Sequence, residues 1–196
     1  MAGTLNTRFA IAYVALLAAA LFVTLTSTGG AGDRAAAAAK AKCPKANASP
    51  GEASIEQLGD AVLCLIGNER RKADLKSVDR NGALTRVASK HAAVMIDEDC
   101  LEHRCKGEKS LNERIVNSGY PKPGEHYSFG EITGCSLTPE AMVDAWTGSR
   151  VHRKRILGRG YRDIGIGAEK GSPDVGGCDD GRRRGVYAVI FGSNLG

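Results

Sequence analysis

The stretch EITGCSLTPEAMVDAWTGSRVHRKRIL, residues 131–157, decides the fold. Glu131 closes an alternating segment, 126–132, in which Tyr127, Phe129 and Glu131 fall on one face. Such alternation predicts a half-buried strand. A carboxylate sharing a face with two aromatics is partly desolvated and needs a partner. Thr138-Pro139 then opens a helix, with a hydroxyl at the N-cap and proline at the first helical position. Met142, Ala145, Trp146 and Ser149 form its inner stripe, and Ser149 is placed to cap the next turn. His152 opens that short basic turn. A second imidazole, His103, lies upstream between Cys100 and Cys105.

Two strands follow this stretch. Asp163–Ala168 alternates, with Ile164, Ile166 and Ala168 inward. Val186–Phe191 is apolar on both faces, as expected for a central strand of a covered sheet. The Gly-rich, charged segment between them is a long hairpin loop. Upstream lie helices. Ser54 and Gln57 form a capping box ahead of a stripe of Ile55, Leu58, Val62, Leu65, Ile66 and Glu69. The polar run Asn68–Lys72 is read as facing out. A second helix starts near Asn81-Gly82 and places Leu84, Val87, Ala88, His91 and Met95 on one face, which makes His91 a hydrogen-bonded core residue. Ser110 and Glu113 make another capping box, and Gly119 ends that short helix. Helices and strands do not alternate strictly, so the class is α+β rather than doubly wound.

The first forty residues are not part of this fold. Arg8 precedes an apolar run from Phe9 to Thr26, then small residues and the tract Ala35–Ala39. That order is a secretory signal peptide. The run is also close to the lower bound for a membrane span, so an uncleaved N-terminal anchor is the other reading of residues 1–40. Both readings export the remainder. Residues 41–53 read as a linker and 54–196 as one domain. The net charge of +5 is mild. With export, it does not argue for nucleic acid as a partner.

All six cysteines follow the leader. An even count in an exported chain predicts three disulfides, and six cysteines allow fifteen pairings. Cys100 and Cys105 are close enough for a local loop. Cys43 would then tie the start of the domain to Cys64 on the first helix, which leaves Cys135 with Cys178. Metal ligation by cysteine is the weaker reading, because there is no Cys-x-x-Cys.

His103, Glu131 and His152 are the residues that secondary structure explains least. Two imidazoles and a carboxylate suit a divalent cation such as Zn²⁺, or a base with an orienting acid. Arg150, Arg153, Lys154 and Arg155 form a basic run beside His152. The run is either a solvated face or a patch for an anionic partner: cell-wall polymer, anionic lipid or acidic protein.

The order of these pieces resembles the CAP (SCP) superfamily in its short bacterial form. The likeness covers roughly Val62 to Phe191. It rests on Leu63–Arg71, on Asn81, Leu84 and Ser89–Ala92, on Leu101-Glu102-His103, and on Gly130-Glu131-Ile132. It continues through Ala145–Leu157, Tyr161–Gly167 and Val186–Gly192. The resemblance implies a three-layer α-β-α sandwich with a small, mainly antiparallel sheet. It also implies a cleft in which His103, Glu131 and His152 hold a divalent cation. No residue matches the family's second glutamate, and Asp163 is the conceivable substitute. Arg150-Val151 stands for Pro-Gly, while Ile132 and Arg155 stand for asparagines. The basic neighbours are expected to lower the His152 pKa and weaken cation binding. The function implied is an exported binding module at the cell surface or outside. A metal-assisted hydrolase of peptide or ester bonds, with Glu131 as base, and a lipid or sterol carrier are the alternatives.

Overall fold

The computed structural model describes residues 42–122, 124, 126–175, 177, 178 and 183–194. The expected leader, residues 1–40, lies outside the described residues. No helix among the described residues is long and apolar enough to cross a membrane. The elements run α1 (Ile55–Lys72), β1 (Asp79–Arg80), α2 (Gly82–Asp97), α3 (Leu111–Asn117), β2 (Tyr127–Ser136), α4 (Pro139–Gly148), α5 (Arg150–Ile156), β3 (Asp163–Lys170) and β4 (Gly185–Asn194). The sheet order is β1-β3-β4-β2. β4 pairs antiparallel with both β2 and β3, and the two-residue β1 adds a parallel edge to β3. This is the expected α-β-α sandwich.

Local chemistry sets the helix starts. Ser54 and Gln57 satisfy each other's backbone N–H groups at α1, and Ser110 and Glu113 do so at α3. The Asn81 side chain caps α2 and the Thr138 hydroxyl caps α4, ahead of Pro139. Ser149 precedes α5 without a side-chain cap bond, contrary to expectation. Val143, not Ala145, joins Met142 and Trp146 on the buried stripe of α4.

Two apolar cores lie on opposite faces of the sheet. One gathers Leu58, Val62 and Ile66 of α1, Trp146 of α4 and Ile156 of α5 against Ile132, Ile164, Ile166 and Phe191. The other gathers Leu84, Ala88 and Met95 of α2 and Ile115 of α3 against Val186, Ala188 and Ile190. β4 contributes to both, so its two-sided burial follows from its central place.

Gly165 and Gly167 set how closely α2 sits. A Cβ on Gly165 would lie 2.1 Å from the Leu84 carbonyl carbon, and one on Gly167 would lie 2.3 Å from that of Ala88. The helix backbone therefore rests directly on β3, and only glycine fits at the contact.

Three sequence expectations change here. β2 runs on to Ser136, so Glu131 sits in mid-strand rather than at a strand end. Residues 42–53, read as a linker, are turns tied to the domain. Cys43 is bonded to Cys64, the Glu140 N–H donates to the Ala46 carbonyl at 2.9 Å, and Ala46 and Ala48 pack on the core. The run Asn68–Lys72 does not face out as a block, because Asn68 and Arg70 are buried. Arg70 Nη1 donates to the carbonyls of Ile156 (2.7 Å) and Gly158 (3.0 Å), and Nε donates to that of Lys76 (3.0 Å). A cation at these carbonyls suits the negative end of α5. Burial pulls the Arg70 pKa below its usual range. The disulfides are Cys43–Cys64, Cys100–Cys105 and Cys135–Cys178, as the sequence order suggested.

Gly167→Ala should lower unfolding stability by about 3 kcal/mol through overpacking against the α2 backbone. Gly160, whose added Cβ would meet nothing within 4 Å, should tolerate alanine within about 0.5 kcal/mol. Urea unfolding of the two variants measures both, and equal effects would refute the close-contact account.

Candidate functional site

β2 is an edge strand, and residues from both helix layers converge on it. Glu131 points to the α2–α3 side, the face it shares with Tyr127 and Phe129, whose rings stack at 5.8 Å. It is buried. His103 rides on the loop closed by Cys100–Cys105. Its Nδ1–H donates to Glu131 Oε1 at 2.9 Å, while its ring stays 62% exposed. The other carboxylate oxygen, Oε2, meets Arg114 Nη2 at 3.4 Å, and the same Nη2 donates to the His103 carbonyl at 2.7 Å. Arg114 thus clamps the imidazole loop and the carboxylate together.

Sequence reasoning missed Arg114. A signal was present: Arg114 falls three residues after Leu111 and beside Ile115, on the inner stripe of α3. A cation on an apolar stripe implies a buried partner.

The loop carrying His103 hangs from α2. His91 is fully buried; its Nε2–H donates to the Glu102 carbonyl at 3.0 Å. Its Nδ1 lies 2.8 Å from Glu108 Oε2, but out of line for a hydrogen bond. Glu108 Oε2 instead accepts the Cys105 N–H at 3.0 Å. His91 is the core histidine that the periodicity implied. His91, Cys105 and Glu108 are the one group among the described residues whose ligand atoms all lie within 4.8 Å of one another. The Cys105 sulfur is spent in a disulfide and offers no thiolate.

His152 lies on α5 and is half-buried. Trp146, on the preceding helix, fixes α4 to β2 by donating Nε1–H to the Thr133 carbonyl at 2.9 Å. Burial first, and then the charge of His103, pull the His152 pKa down. The hydrogen bond to Glu131 pushes the His103 pKa up, against burial and the charges of Arg114 and Arg155. The expected lowering of His152 therefore occurs, but from burial and the second imidazole rather than from the basic run. His103, Glu131 and His152 share one neighbourhood, yet they do not converge as a three-ligand cage. Both Glu131 oxygens are engaged. The imidazoles keep donor nitrogens for a cation: Nε2 of His103, and the ring of His152, which has no hydrogen-bond partner among the described residues. The residues thus fit a two-imidazole site with Glu131 as the group that orients His103. Asp163, at the start of β3, accepts from the Tyr120 hydroxyl at 3.0 Å.

The basic run divides. Arg150, Arg153 and Lys154, with Leu157, line one groove of about 460 Å³. Their spacing of three and four puts them on one face of α5. Arg155 faces elsewhere: a Cβ on Gly130 would lie 3.0 Å from its Cδ, and its charge acts on His103.

A three-layer α-β-α sandwich of this topology defines the class of fold, and the comparisons name the family. The profile of the CAP family, described as the cysteine-rich secretory protein family, matches residues 64–189. The chain belongs to that family. It is 29% identical over 151 residues to the uncharacterized protein YkwD of Bacillus subtilis, covering 75% of this chain and 57% of that protein. The chain thus spans little more than half the length of that curated relative. An outer surface protein of Borrelia burgdorferi shares the fold at a TM-score of 0.53 and 18% identity, over 68% of this chain and 90% of that one. An extracellular SCP-domain protein of Bacillus anthracis does so at 0.52 and 20%, over 73% and 40%.

In solution His103 should titrate above 6.5 and His152 below it, as read from imidazole proton shifts by NMR. His103 then stabilises the fold fully below pH 6.5, and this contribution is lost as pH rises through its folded value. The His152 contribution has the opposite sign and is lost as pH falls through its own lowered value. Glu131→Gln should bring His103 down. Coincident midpoints in the wild type would refute the asymmetry.

Proposed function

We propose that the chain is an exported CAP-domain protein that acts by binding at the cell surface or outside. In this reading His103 and His152 hold a divalent cation such as Zn²⁺, with Glu131 orienting His103. The groove of Arg150, Arg153 and Lys154 engages an anionic cell-wall polymer. One observation carries the preference for binding over hydrolysis: the Glu131 side chain is buried, 1% exposed, with one oxygen on His103 and the other beside Arg114. A general base for metal-assisted cleavage must reach the attacking water, which a carboxylate buried behind His103 does not meet. When bound, the cation would act as a Lewis acid or as a bridge to a ligand's oxygen. Arg114 and Arg155 near the imidazoles oppose it, so the reading is of a weak, exchangeable site. The anionic-lipid and acidic-protein partners remain outcomes of the same binding test. Export is supported by the B. anthracis neighbour, which is an extracellular protein.

Zn²⁺ titration followed by NMR should show one site in the wild type and none in His103→Ala. Glu131→Gln should weaken it about tenfold to a hundredfold. An unaltered affinity in His103→Ala would sink the cleft reading. Sedimentation with cell-wall material at two salt concentrations tests the groove. Binding should fall with salt and with Arg153→Gln/Lys154→Gln, and a salt-insensitive result would argue against charge-driven capture.

A further inference from the structure

Arg114 has more hydrogen-bond donors than the cleft uses. Its side chain is about nine-tenths buried. Nη2 serves the cleft, through Glu131 and the His103 carbonyl. Nε and Nη1 are buried and have no hydrogen-bond partner among the described residues. The nearest opposite charge on that side is Glu108 Oε1, 3.8 Å from Nη1. That distance is a charge contact beyond hydrogen-bond reach. A guanidinium buried with two idle donors costs free energy unless something answers it.

The same Arg114 lines a groove of about 690 Å³ walled by α2, α3 and the segment 106–109. Arg86, Lys90, Lys106 and Lys109 also line it, against two acids, Glu98 and Glu108. The four are exposed, and Arg86 donates to the Ser118 carbonyl at 3.4 Å. Val87 and Val94 add an apolar wall. The volume suits a small organic ligand. Clustered cations beside a low-dielectric wall focus a positive potential. The planar fork of an arginine matches a two-oxygen anion.

We infer that this groove is a second binding site, distinct from the cleft and from the α5 groove. Its ligand is a small organic oxyanion, a phosphate or carboxylate on a short apolar body, with Arg114 as the buried anchor. Lys90 and Lys106 meet the anion first. Nε and Nη1 are covered in this conformation, so the oxyanion reaches them only when side chains lining the groove move aside. Val87 and Val94 hold the apolar body. Because Arg114 also grips Glu131 and the His103 carbonyl, occupancy here bears on the cleft from behind.

The test is calorimetric titration of the full chain with inorganic phosphate, phenyl phosphate and phenylacetate. Saturable one-to-one binding is expected, with phenyl phosphate or phenylacetate tighter than inorganic phosphate. The tighter of the two names the oxyanion. Arg114→Lys should weaken it about tenfold, the loss of one charged hydrogen bond. That variant also touches the cleft, so Lys90→Gln/Lys106→Gln serves as the second. It should weaken binding about threefold to tenfold, the loss of two exposed charge contacts, with unchanged thermal stability. Arg153→Gln/Lys154→Gln should bind as the wild type, which separates this site from the α5 groove. Non-saturable heat with all three probes would overturn the inference. So would wild-type binding in the Lys90/Lys106 variant, or loss in the Arg153/Lys154 variant. Zn²⁺ uptake reports separately on the cleft, so either reading can fail without the other.

Discussion

The molecule depends on the contact between the backbone of α2 and strand β3. Gly165 and Gly167 remove two side chains from the face of β3, and the Leu84 and Ala88 carbonyls occupy the space. The helix is thereby held at one height above the sheet. Much of the cleft is hung from that helix. Cys100 N–H donates to the Met95 carbonyl at 2.9 Å at its C-terminal end, and His91 grips the Glu102 carbonyl. The loop with His103 therefore takes its position from α2, and α2 takes its position from two glycines.

Two buried arginines finish what the sheet begins, one in each helical layer. Arg70 fixes the C-terminal carbonyls of α5, the helix that carries His152. Arg114 fixes the loop that carries His103 and the carboxylate that orients it. Neither is an exposed ion pair of small worth. Each replaces part of its lost water with carbonyl or carboxylate oxygens, while Arg70 Nη2 and Arg114 Nε and Nη1 find no hydrogen-bond partner among the described residues. The cleft walls are thus set from behind, by cations that themselves need partners.

The sequence made some of this legible and hid the rest for definable reasons. Capping boxes at Ser54 and Ser110 and the Thr138-Pro139 start are local signals, and local chemistry decides them. Two-sided burial of β4 could be read because apolar residues on both faces admit few explanations. Arg70 reads as exposed because it stands in a polar run, and two of its three carbonyl partners are more than eighty residues away in sequence. Glu131 was placed at a strand end because Thr133-Gly134-Cys135 breaks the apolar alternation. Pairing with β4 continues the strand regardless. Residues 42–53 have a linker's composition, yet one disulfide and one backbone bond to Ala46 hold them down.

Two positions near the cleft, Ile132 and Arg155, stand where the family resemblance places asparagine, and the geometry separates their effects. Of the two positions where asparagine is usual, Ile132 is fully buried in the α1–α4 core. It points to the opposite face of β2 from Glu131, so the substitution repacks a core rather than stripping a polar partner from the carboxylate. Arg155 is different. It lies against Gly130, and its charge opposes protonation of His103. A cation entering the cleft would meet the same repulsion. The hydrogen bond to Glu131 outweighs Arg155 in setting the state of His103, because it comes first among the causes that raise the pKa. Metal entry enjoys no such bond, since Glu131 is already committed to His103 and Arg114. The hydrogen bond to Glu131 therefore favours the protonated form of His103 more than in a free imidazole, and the same bond would set a cation in competition with a proton at this ring.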